Sequence, residues 1–146
     1  SSTDNNFFLT GVQMEVGPVA TEFEQEDIST TLGKCQRYYQ KWGDGEGDDL
    51  APLGAGFWHG VSLVLGNLNF KHPMRAAPTI NESSADFATV YVQNSSVSSN
   101  DTAPCDLIGT TEARLILTPA SNGTAGEGTH IHIRASGEYL EADAEL

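Results

Sequence analysis

A chain of 146 residues is long enough for one domain with a real core, and short enough that an edge or a face of it can need a partner. Its 7 Lys+Arg against 20 Asp+Glu give a formal charge of -13, which repels phosphate backbones and anionic headgroups and so disfavours nucleic acid and membrane surfaces as partners. No apolar run approaches the roughly 18 residues that span a bilayer, so the expectation is a soluble protein with no membrane insertion.

The first element is expected near the start, where Phe8, Thr10, Val12, Met14 and Val16 alternate with Leu9, Gln13 and Glu15 in the period-two pattern of a half-buried strand. Gly17-Pro18 stops it, and only the polar "SSTDNN", with no initiator Met and no signal core, stands ahead. Residues 1–26 thus read as a strand and linker belonging to a fragment or a processed product. Ile28, Leu32, Cys35, Tyr38 or Tyr39, and Trp42 then recur at spacings of three and four, which predicts an amphipathic helix over 27–42. Asp27 or Ser29 can cap its first turn, while Lys34, Arg37 and Lys41 complement the dipole at its end. In the apolar phase of that helix Cys35 reads as a buried free thiol, rather than as half of a long-range disulfide with Cys105.

From 43 to 146 the pattern predicts an antiparallel β-domain. Val61, Leu63 and Leu65 alternate in one phase and Leu68 and Phe70 in the other, with Gly66-Asn67 as a turn or bulge where the phase switches. Pro73 and Pro78 confine their segment to an edge or an irregular connection. Phe87 to Gln93 and Thr111 to Thr118 are rich in β-formers, and "THIHIRA" alternates strictly, with Ile131 and Ile133 opposite His130, His132 and Arg134. Short strands between Ser/Asn/Gly/Pro loops indicate a mainly β fold, an antiparallel β-sandwich preceded by one amphipathic α-helix.

Several stretches carry chemistry. Asp44, Glu46 and Asp48 alternate in the glycine-rich loop "GDGEGDD" and could wrap calcium, although the acid an EF-hand needs near its twelfth position is replaced by Ala55; a solvated loop is the plainer alternative. His130 and His132 project from one face of their strand, so three copies around an axis would gather six imidazoles fit for a transition metal; a solvent-facing pair is the alternative. Asn81, Asn94, Asn100 and Asn122 each head an Asn-x-Ser/Thr triplet that could carry a glycan in a secreted protein. The sequence contains no Gly-x-Ser-x-Gly elbow, phosphate-binding glycine loop, His-Glu-x-x-His or paired-cysteine spacing, which points away from an enzyme.

The stretch "GVQMEVGPVATEFEQEDISTTLGKCQRYYQKW" resembles bacteriophage tail-fibre and related virion proteins, with their G-V-Q-L-E-x-G strand, T-x-F-E turn and C-Q-R-Y-Y helix end. "FKHPMRAAPTI" is similar to the family's F-x-x-P-M-R-x-x-P-T strand, and "EADAEL" to its A-D-A-E-[LI] ending. Met14 in place of Leu, Gln25-Glu26-Asp27-Ile28 in place of a basic run, and the acidic glycine loop depart from the pattern. The resemblance implies that residues 1–26 close a preceding jelly-roll-like module. It also implies a homotrimer, partners among other virion fibre proteins, a place on the virion surface, and attachment to a host-surface glycan or protein without a required cofactor. A purely structural fibre-terminating or docking role is the alternative. "GTHIH" is similar to the Gly-x-His-x-His motif that holds iron on the axis of some tail-fibre tips. On this reading the loops 43–56 and 94–104 are the contact loops, with Trp42, Asp44, Trp58, Asn94 and Asn100 as receptor contacts and the two tryptophans as sugar platforms. Tyr38, Tyr39 and Phe57 are candidates for the trimer interface, with filling of one protomer's own core as the alternative.

Overall fold

Alternation decides which face each strand buries, and along Glu112–Leu117, Gly128–Ile133 and Tyr139–Asp143 it is clean. The computed structural model describes residues 11–19, 21–23, 25–43, 51–92, 95–98 and 104–145. One helix, α1 (Ile28–Gln36), precedes the strands β1 (Tyr39–Gly43), β2 (Pro52–Trp58), β3 (Val64–Asn69), β4 (Thr79–Glu82) and β5 (Ala88–Val92). They are followed by β6 (Ser95–Ser98), β7 (Cys105–Asp106), β8 (Glu112–Leu117), β9 (Gly128–Ile133) and β10 (Tyr139–Asp143). The protein is therefore mainly β, and every strand pairing is antiparallel. A three-stranded sheet runs β1-β10-β4 and a seven-stranded sheet runs β6-β5-β9-β2-β3-β8-β7. Ile131 and Ile133, Ala113, Leu115 and Leu117, and Val90 and Val92 face inward from the large sheet. They join Trp42, Leu140 and Ala142 of the small sheet in one apolar cluster completed by Phe70, Met74 and Phe87. No described helix is long and apolar enough to cross a membrane.

The phase of β3 differs from its expected one. Val64 and Leu68 are the buried residues and Leu65 is half-buried, with an unbroken register against β8 from Val64↔Leu117 to Asn69↔Glu112. No bulge intervenes at Gly66-Asn67. Gly66 occupies the inward position between Val64 and Leu68, and lacking a side chain it hides the true alternation. A Cβ there would lie 2.6 Å from Ile131 Cδ1, and one on its cross-strand partner Gly56 would lie 2.5 Å from the Leu65 carbonyl oxygen. The paired glycines thin the sheet so that Ile131 can lie across it. The irregularity of the large sheet falls instead in β2, between Pro52 and Gly54.

The helix is shorter than its periodicity predicts. Asp27 caps it as expected, its carboxylate accepting the Ser29 N–H at 3.0 Å. It ends at Gln36, however, and Tyr39, Gln40 and Trp42 belong to β1. Gln40 and Trp42 point inward there while Tyr39 points out, so period two replaces period four. Trp42 lies four residues after Tyr38 and two after Gln40, and its spacing satisfies both templates. The β-domain accordingly begins before residue 43. None of the α1 side chains is buried, so Ile28 and Leu32 are exposed, and so is Cys35, contrary to the expected buried thiol.

Both cysteines are free. Burial, together with the nearby charges of Asp106 and Glu82, pushes the Cys105 thiol up to about 12. Because the thiolate is the reactive form, a disulfide-exchange reagent at about pH 8 should titrate one equivalent quickly in the native protein and a second only in denaturant. Two fast equivalents would show that Cys105 is accessible.

The expected strand through Val12, Met14 and Val16 does not form within the described residues, which begin at Gly11; Phe8 and Thr10 lie outside them. Among the described residues no strand pairs with its segment. Glu15 instead accepts hydrogen bonds from the Thr21 hydroxyl, at 2.7 Å, and from its N–H, which hold the Glu15 carboxyl below its ordinary range. Val12, Met14 and Val16 are left exposed.

Candidate functional site

Three of the stretches that carry the resemblance, those within 35–42, 70–75 and 141–145, converge in space. Gln40, only 2% exposed, donates through Nε2 to the carbonyl oxygens of Gln36 at 2.9 Å and His72 at 2.6 Å. Its Oε1 accepts from Lys71 N–H at 2.7 Å, and the Met74 sulfur lies 3.1 Å from the same Nε2. Arg75 N–H donates to the Arg37 carbonyl at 2.8 Å while its guanidinium sits 5.3 Å from the Tyr38 ring centre. Tyr38 in turn accepts the Ala144 N–H at 2.7 Å on its carbonyl, and β1 pairs with β10 from Tyr39↔Asp143 to Gly43↔Tyr139. "CQRYYQKW", "FKHPMR" and "EADAE" therefore form one structural unit around the small sheet.

The expected sugar platforms are inside the protein. Trp58 is 1% exposed, and Trp42, at 8%, packs against Phe70 with ring centres 6.0 Å apart. Each indole sits in the inward phase of its strand, so neither can meet a ligand. Asp44, Asn94 and Asn100 lie outside the described residues, as do Glu46 and Asp48 of the acidic loop, and with them the calcium reading. Tyr38, Tyr39 and Phe57 are exposed; Tyr39 donates its hydroxyl to Glu141 at 2.7 Å.

His130 and His132 occupy the outer face of the large sheet as their alternation requires, with ring centres 6.4 Å apart. Register places Tyr91 opposite His130 and Thr89 opposite His132, and the Tyr91 and His132 rings meet edge-on at 5.0 Å. Among the described residues no group of three or more His, Cys, Asp or Glu is placed to hold a metal ion. Six imidazoles would require three chains.

On the same face, at the β2-β3-β8-β7 end, lies a shallow cleft of about 360 Å³. Phe57, Leu65 and Leu107 are its apolar lining, and Asn67, Glu112 and Arg114 its polar lining. Cross-strand register orders these groups in rows. Phe57 is opposite Leu65, which is opposite Ile116; Asn67 is opposite Arg114, which is opposite Asp106. Arg114 Nε donates to Asp106 Oδ1 at 2.7 Å and its Nη2 to Oδ2, a two-pronged pair that holds the Asp106 carboxyl below its ordinary range and raises the guanidinium further. Asn67 Nδ2 donates to Asn69 Oδ1 at 2.9 Å and Glu112 Oε2 at 3.0 Å.

The sequence reading assigns Phe57 to a trimer interface and gives the other groups of this cleft no binding role. Phe57 stands next to Trp58 on a strand, so one ring had to face outward, and "EARLIL" puts Arg114 and Ile116 in the outward phase. Those signals were present; nothing in "CDLIG" announces Leu107. Compared with protein-family models, curated proteins and solved structures, the chain gives no match.

Proposed function

We propose that this chain is a non-enzymatic domain of a bacteriophage virion fibre, a β-sandwich that assembles as a homotrimer and attaches the virion to a host-surface glycan or protein. The observation that carries this reading is the succession of exposed large apolar side chains ahead of a well-cored β-domain: Val12, Met14, Val16, Val19, Phe23, Ile28 and Leu32. Such a run of exposed large apolar side chains supports a contact with another chain, here a second protomer or a neighbouring fibre module. The outer face of the large sheet, with Phe57 and the histidine pair, supports the attachment half of the reading. The same exposed succession also favours the alternative, in which the domain terminates or docks a fibre and touches no receptor.

A native mass spectrum tests the assembly. The expected species has three times the chain mass, and replacing Val12, Met14 and Val16 with serine should return it to monomer without lowering the unfolding temperature of the β-domain. A wild-type monomer would end the trimer reading. Additional mass equal to one transition metal per trimer, lost on chelation and in His132→Ala, would assign the two-histidine strand its axial role. Adsorption of the labelled trimer to bacterial cells separates attachment from scaffolding, because only attachment predicts saturable binding.

A further inference from the structure

Leu107 is the single described non-glycine residue with positive φ, at 45°, and its side chain is 72% exposed. A left-handed backbone disfavours a residue with a bulky side chain, and water disfavours an isobutyl group; Gly or Asn would relieve both. Stability therefore gives no reason for leucine here. Strained backbone concentrates where a ligand is held, and Leu107 lines the cleft together with Phe57.

The shape and polarity of the cleft limit what it can take. Its apolar row, Phe57-Leu65, and its polar row, Asn67-Arg114, are two residues apart along β3, about 7 Å. A ligand matching both needs an apolar face and a hydroxyl-bearing edge within one small ring. Phe57, 46% exposed, is an aromatic surface on which such a face can stack, and a T-shaped contact with His59 at 6.2 Å orients its ring. The cleft's cation is already neutralised, since Arg114 is clamped by Asp106, and Glu112 adds a negative charge beside it. With a chain charge of -13, an anionic ligand is repelled. A volume of about 360 Å³ is at the small end of the roughly 300–1,000 Å³ typical of ligand pockets, which suits one or two sugar rings and not a folded partner.

We propose that the cleft between Phe57 and Leu107 binds a neutral pyranose of a host-surface polysaccharide, its apolar face on Phe57 and its hydroxyls at Asn67 and Glu112. This deepens the attachment reading and rests on it. The test is amide-shift NMR of the full chain with methyl glycosides of galactose, glucose and mannose, and with N-acetylneuraminic acid as the anionic control. At least one neutral glycoside should saturably shift the amides of residues 57, 65–67, 107 and 112–114. Phe57→Ala, on an exposed site, should weaken that binding by about tenfold or more. Leu107→Asn should weaken it too while raising the unfolding temperature, a pairing of opposite signs that a merely structural residue does not give. The proposal is overturned if no neutral glycoside shifts the cleft amides, if the acidic sugar binds there in preference, or if Leu107→Asn stabilises the protein and leaves binding unchanged. It is equally overturned if the cleft amides become protected from exchange on oligomerisation, since the cleft is then a contact between copies. A trimer on which no glycoside shifts the cleft leaves the fibre reading standing without this site, and a monomer showing the shifts keeps the site without the fibre.

Discussion

Replacing Gly123 with alanine should destabilise the protein by about 3 kcal/mol or more, which is outside the range of ordinary surface substitutions. The loop that carries Gly123 lies on the indole of Trp58, and an added Cβ would sit 2.6 Å from its Cζ2 and closer still to Cε2 and Cδ2. Neither side can give. Trp58 fills the core, while the loop backbone is tied down at the glycine and on its C-terminal side. Gly123 N–H donates to Val61 at 2.9 Å, Gly126 N–H to Trp58 at 2.8 Å, and Trp58 N–H to Glu127 at 2.9 Å. For a chain of this length the loss corresponds to a fall in Tm on the order of 10 °C in a thermal melt. Gly128→Ala is the control, because a Cβ there meets nothing within 4 Å and φ is not positive; its effect should stay within about 0.5 kcal/mol. Equal melting temperatures for the two variants would mean that the loop does not rest on the ring.

The second large effect belongs to Gln40. Gln40→Leu should cost about 3 kcal/mol or more in urea unfolding, because the new side chain fills the space and satisfies none of the groups it faces. The His72 carbonyl and the Lys71 N–H lose their partner in a half-buried place, and the Gln36 carbonyl loses its contact at the end of the helix. Each stranded group adds about 1–3 kcal/mol. The loss should also be local at first: amide exchange should quicken in α1, β1 and residues 71–75 before the large sheet, since the amide joins those three segments. Uniform exchange across the molecule, or a cost below about 1 kcal/mol, would show that water takes over the role of the side chain.

How far the fold was legible depended on whether each residue's side chain reported its position. β5, β8 and β9 could be read because their inward positions, Thr129 apart, hold aliphatic groups, as Ile131 and Ile133 do in β9. β3 was misread because its central inward residue is Gly66, which is silent in any hydrophobic pattern. β1 reads as helix because its buried partner to Trp42 is Gln40, a polar residue whose burial becomes reasonable only once the 71–74 loop supplies its hydrogen bonds. The candidate site was less legible than the fold. Aromatic type alone drew Trp42 and Trp58 toward a ligand, whereas adjacency on the strand sends Trp58 inward and Phe57 outward. Leu107 could not be found at all, since its signal is a backbone angle and its exposure, neither of which has a counterpart in composition or period.

The order of the small sheet also governs when the protein can fold. β10 is its middle strand, and β1 and β4 touch only β10 within that sheet. The hydrogen bond from Tyr39 to Glu141 alone spans 102 residues. During synthesis β1 therefore waits, unpaired, until the chain has reached residue 143, and the long loop it closes makes the sheet a late and slow event. Until then the edges of β1 and β4 are open to strands of neighbouring nascent chains. The risk of mispairing between nascent chains is greatest in that interval, and the buried Gln40 amide, which anchors β1 to sequence made only about 30 residues later, offers an early hold against it.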